Sequence, residues 1–175
     1  NTPEHSPANV MAHAAQNFLA ALTADQQAAA IRPFDETRTD WHFVPAEGRF
    51  SYPRPGIRLK DLSATQILLA HAFLSSGLSQ TGYIKATTIM SLEEILHDLE
   101  KDMDTAMPER NPGSYFIAIF GEPANDHSWG WNIQGHHISL HFTVVDGERI
   151  ATAPTFLGTN PAEVKSGPRK GLRVL

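Results

Sequence analysis

The stretch Trp129–Gly147, WGWNIQGHHISLHFTVVDG, constrains the fold more than any other part of the chain. From Ile138 onward the apolar residues Ile138, Leu140, Phe142 and Val144 alternate with Ser139, His141 and Thr143. A period of two is the signature of a strand with one apolar and one polar face. Asp146–Gly147 offers the two residues tolerant of positive φ that a tight hairpin needs, and Arg149–Ala153 is the returning strand. Upstream of Gly135 the parity is reversed, with Trp129, Trp131 and Ile133 at odd positions. A β-bulge near 135–137 would carry one continuous strand through that change with a single buried face. It would also turn His136 and His137 to roughly the same side, whereas a regular strand points them apart.

Helix signals dominate the first hundred residues. Ser6–Pro7 is a cap followed by a first-turn proline, and Met11, Ala14, Phe18 and Leu22 form the stripe behind it. Thr23–Gln26 and Ser63–Gln66 are capping boxes, the second opening a helix to about Ser76 with Gly77 as its stop. Ser91–Glu94 reads as a third box, with Leu92, Ile95, Leu96, Leu99 and Met103 as its buried stripe. Trp41–Val44 is a candidate edge strand ended by Pro45, and the segment to Gly56 is a loop. Tyr115–Phe120 is an apolar strand halted at Gly121–Pro123. Helices first and strands second is the α+β order, with N-terminal helices packed on an antiparallel sheet of three to four strands. One domain over 1–175 is expected: a helical part (6–104), a strand part (114–157) and a loop-rich end (158–175). That end has little core of its own and is expected to pack on a following segment or a partner.

Composition enters as a filter. A chain of 175 residues buries a core without staples. A net charge of −5 argues against a nucleic-acid or anionic-membrane partner, and no apolar run is long enough for membrane insertion. The absence of Cys excludes disulfides, thiolate metal sites and a cysteine nucleophile. Absent Cys is mildly commoner in periplasmic and extracellular proteins, and a first residue that is Asn1 rather than Met fits either a removed targeting segment or a fragment.

Six segments carry a resemblance: Arg38–Pro45 (RTDWHFVP), Gly82–Ala86 (GYIKA), Ile119–Pro123 (IFGEP), Trp129–Trp131, Gly135–His137 and Phe156–Pro161 (FLGTNP). In this order they resemble the bacterial and fungal family called domain of unknown function 3500. The resemblance implies an exported protein, and a longer family domain of which this chain is the first half. A site at Gly135–His137 would then draw further ligands from a C-terminal half or a second chain. The family pattern has Asn where this chain has His141, which sets His141 apart from an obligatory ligand.

His136 and His137 with Glu122 form the best cluster for a divalent metal, Zn or Cu first among imidazole–carboxylate ions, with Glu122 as ligand or general base. The competing reading is one buried and one solvated histidine. Trp129 and Trp131 offer a stacking platform for a small-molecule ligand, though the apolar parity places them in the core. His141 lies roughly 13 Å from His137 along a strand and reads as a polar-face residue. His42 and His71 are isolated imidazoles. Tyr83 and Lys85 are a candidate proton-transfer pair, and the acidic run Glu93–Asp104 reads as a solvated helix face. GxSxG, P-loop, GxGxxG and HExxH motifs are absent. The expected function is a metal-binding enzyme, hydrolytic or oxidative. The alternative is a non-catalytic ligand-binding or assembly module using the Trp-rich strand and the C-terminal loops.

Overall fold

The computed structural model describes residues 6–36, 38–47, 51–101 and 110–175. Helix α1 (Pro7–Ala20) starts where Ser6 accepts a hydrogen bond from the Asn9 amide. Helices α2 (Ala24–Ala30) and α3 (Ala64–Ser76) both open with complete capping boxes, Thr23 with Gln26 and Ser63 with Gln66. Gln26 and Gln66 also bond to each other, so the two boxes tie the helix starts together.

Helix α4 runs unbroken over Gln80–Glu100 and is capped by Ser79. The box expected at Ser91 is therefore not a helix start. No breaker separates it from the preceding turns, and the Ser91 hydroxyl bonds back to the Thr88 carbonyl inside the helix. Met103 of the expected stripe lies outside the described residues.

The sheet is larger than three to four strands. Its centre is an antiparallel trio, β3 (Phe116–Phe120), β4 (Trp129–Gly135) and β5 (Ile138–Val145). Four short strands complete seven. β1 (Ile31–Arg32) and β2 (Ile57–Arg58) both pair with β3, while β6 (Arg149–Ala151) and β7 (Thr155–Leu157) both pair with β5. The β1–β3 pairing is parallel, so the sheet is mixed rather than purely antiparallel. The α+β class holds. Trp41–Val44 stays irregular, although Phe43 accepts a backbone hydrogen bond from His137.

No bulge carries the parity change at Gly135. Gly135 pairs with Ile138, so the chain reverses through a two-residue turn made of His136 and His137. Odd residues of β4 then face even residues of β5, as in Trp131 opposite Phe142 and Ile133 opposite Leu140. The reversal alone puts both apolar sets on one face. The predicted hairpin at Asp146–Gly147 is present, with φ of 53° and 69° at those residues.

That apolar face packs against α1 and α3. Trp131 is sandwiched between Phe73 and Phe142, with ring centroids at 4.3 and 4.2 Å, and Phe18 stacks on Phe73. An indole buried to this extent removes about 200 Å² from water, worth about 5 kcal/mol of transfer free energy. The close approach explains Gly77, where a Cβ would sit 2.6 Å from the Trp131 ring.

Candidate functional site

The β4–β5 turn reaches α4 at its tip. His136 Nδ1 lies 2.5 Å from Glu93 Oε1, and both side chains are largely buried. Arg110 Nη1 approaches the same nitrogen at 3.2 Å. Its Nε and Nη2 donate to the two carboxylate oxygens of Glu100 at 2.7 and 3.2 Å. A ring nitrogen shared between an acceptor and a donor follows the shorter contact, so Nδ1 carries a proton toward Glu93, and in the neutral ring the lone pair lies on Nε2.

The backbone fixes this tip. His137 has φ of 61°, the left-handed region that permits a two-residue reversal. Its amide donates to the Phe43 carbonyl at 2.7 Å, and its carbonyl accepts from the Gly158 amide at 2.8 Å. Tyr115 donates its hydroxyl to the His136 carbonyl. The phenol ring passes so close to Gly135 that a Cβ there would meet it at 2.2 Å. Burial pushes the Tyr115 hydroxyl well above its ordinary range, with the Glu93 charge adding to it, so the phenol stays protonated as a donor.

The two imidazoles lie side by side with centroids 4.2 Å apart, brought together by the two-residue turn and not by a bulge. Burial, then the charges of His136 and Arg110, bring His137 down to about 4, which keeps it neutral near pH 7. Glu122 does not join them. It follows β3 at the end where Phe120 pairs with Gly130, five residues along the strand from Gly135, about 17 Å at ~3.3 Å per residue. The sequence places IFGEP near the histidines in order, but antiparallel pairing sends it to the opposite end of the sheet. Trp129 and Trp131 are buried against the helices and leave no ring face for a ligand. His71 bonds to the Tyr83 hydroxyl at 3.0 Å between α3 and α4. His42 stacks on Tyr52.

Glu93, Glu100 and Arg110 were not singled out from the sequence. The first two look like part of a solvated acidic run, yet Ile89, Glu93, Leu96 and Glu100 recur at helical spacing on one stripe of α4. A carboxylate on an apolar stripe was the available signal. Arg110 carried none, because it sits in irregular chain. Asp102 and Asp104 lie outside the described residues.

The two imidazoles of His136 and His137, with ring centroids 4.2 Å apart, are the side chains nearest to a metal donor set at this tip. Among the described residues no group of three or more His, Asp or Glu is arranged to hold an ion. Among them, too, no helix is long and apolar enough to cross a membrane. No curated protein and no solved structure matches the chain. The family model described as "Protein of unknown function (DUF3500)" matches residues 4–175, and the chain belongs to that family.

Proposed function

We propose that the β4–β5 tip is the reactive centre of a metal-dependent enzyme, hydrolytic or oxidative, with His136 and His137 as ligands through Nε2. The observation that carries this reading is the 2.5 Å contact between Glu93 and His136 Nδ1. Metal-binding histidines commonly give their second ring nitrogen to a carboxylate, which sets the tautomer and raises the basicity of the ligating nitrogen. The neutral state of His137 is the one a ligand requires. A divalent ion held there would supply Lewis acidity or an activated water. Further donors would come from solvent, substrate or residues beyond those described.

Elemental analysis of protein purified without chelators tests this, run beside a His136→Ala/His137→Ala double variant. Near-stoichiometric metal in the parent and none in the folded variant is expected. Glu93→Gln should weaken binding about 10- to 100-fold, the usual cost of losing such a carboxylate. A well-folded parent without metal sinks the reading.

Arg110 favours a second reading, because a guanidinium 3.2 Å from the imidazole opposes another cation. There His136 Nε2 transfers protons without a metal, oriented by Glu93. Activity that survives chelation but is lost in His136→Ala selects it.

A further inference from the structure

Arg54 carries a charge that the fold leaves unanswered. Pro53 and Pro55 flank it and fix φ on both sides, so its guanidinium projects from a stiff segment. Gly56 pins that segment to β3, since its φ is 107° and a Cβ there would sit 2.3 Å from the Ile117 carbonyl oxygen. The guanidinium donates to the carbonyl of Tyr52 at 2.9 Å and to that of Val44. Its Nε is buried without a hydrogen-bond partner, and among the described residues no carboxylate pairs with it. Burial brings Arg54 down to about 10, from an ordinary 12.5.

Arg54 lines a cavity of about 260 Å³ together with Arg32, Glu36, Asp40, His42 and Tyr52. Its walls are held in place. Asp40 and His42 belong to the strap Arg38–Phe43, which lies over the polar row of the sheet, Asn132, Gln134, Ser139 and His141. Gln134 donates to the Asp40 carbonyl at 3.2 Å and accepts from the His42 amide at 3.0 Å. His42 in turn stacks on Tyr52, with ring centroids 3.5 Å apart. Arg32 also spends its Nη1 on backbone carbonyls, those of Ala28 and Ile31, at 2.9 Å each. Two guanidiniums and two carboxylates thus share one cavity, and among the described residues none of the four is in an ion pair. Arg32 and Arg54 are half-buried whereas Glu36 and Asp40 are exposed, so the positive charges lie deeper than the negative ones.

We propose that this cavity binds a small α-amino acid as its zwitterion, with the carboxylate on Arg54 and the ammonium toward Asp40 and Glu36. The inference goes beyond the metal reading and does not depend on it. A carboxylate guest supplies the counter-charge that the fold withholds from Arg54, and its two oxygens suit the planar fork of a guanidinium. A bare anion would also meet the two carboxylates of the lining, and an amine alone would meet the two guanidiniums. A guest carrying both charges matches both pairs, and it is neutral as a whole, as the lining is. The volume is below that of clefts for drug-sized molecules, which limits the guest to one small molecule.

Chemical-shift titration of the isotope-labelled full chain near neutral pH tests this, with glycine, L-alanine and L-serine as probes and propionate and ethylamine beside them. At least one amino acid should bind in the millimolar range or tighter. Propionate lacks the ammonium and ethylamine the carboxylate, and both should bind more weakly than alanine. Arg54→Gln should weaken the amino acid roughly tenfold or more, the worth of hydrogen bonds to a charged group. Because Arg54 also holds the Tyr52 and Val44 carbonyls, Asp40→Asn gives an independent reading at an exposed position. It should weaken the amino acid about twofold to fivefold, the worth of an exposed charge pair, and leave propionate unchanged or tighter. No binding by any of the three amino acids overturns the proposal. So does propionate binding as tightly as alanine, which leaves a carboxylate site with no place for the ammonium. Amino-acid binding that is unchanged in both variants overturns it as well.

Discussion

The two faces of the central trio come from the same strands and the same alternation, but they are covered differently. One face presents Trp129, Trp131, Ile133, Leu140 and Phe142 to α1 and α3, and its contacts are ring on ring. On β4 and β5 the other presents Asn132, Gln134, Ser139 and His141 to an irregular strap, and its contacts there are hydrogen bonds. Both are buried. The first derives its stability from removing hydrocarbon from water, which is tolerant of direction. The second depends on each polar group finding a partner in the right place, and Asn132 finds none among the described residues. The apolar face therefore rests on packing and the polar face on pairing.

The comparison can be broken most severely at Trp131. Trp131→Ala should cost about 3–5 kcal/mol in urea unfolding, since the space between Phe73 and Phe142 cannot close around a methyl group. A loss below about 1 kcal/mol would put the two faces on the same footing.

Acid probes the polar face next. With its folded value near 4 against an ordinary 6.5, His141 binds more protons in the unfolded chain between those values. It costs nothing above about 6.5, stability is lost as the pH falls through that window, and the loss reaches of order 3 kcal/mol below about 4. His137 adds to the slope in the same direction. The stability difference between about pH 7 and pH 5 should shrink in His141→Asn, read as urea midpoints at each pH. An unchanged difference would place the slope elsewhere.

The smallest effect is expected from Ser139→Ala. It removes one hydroxyl contact with His141 and should cost about 1 kcal/mol. A null result would sharpen the contrast, by making the row dispensable for folding.

The alternation of Ile138–Val144 and the capping pairs at Thr23 and Ser63 were legible because each is a local code. A period of two places side chains on alternate faces whatever the surroundings, and a cap needs only residues three positions apart. The turn at His136–His137 was not legible. A parity change is satisfied equally by a bulge and by a reversal, and only the pairing of Gly135 with Ile138 decides between them. The antiparallel pairing of β3 with β4 placed Glu122 at the far end of the sheet, against its nearness in order.

The site partners followed the same rule. Glu93 lies 43 residues from His136 and Arg110 lies 26 away, and nothing local in either segment announces the other. The sequence by itself determined helices α1 to α3, strand β3 and the two-residue alternation along β4 and β5, because each is a local pattern. Only the tertiary structure decided which carboxylate meets the two histidines and that the sheet's polar face is covered. Burial and charge pairing depend on what the rest of the chain brings to a surface, and no local pattern records that.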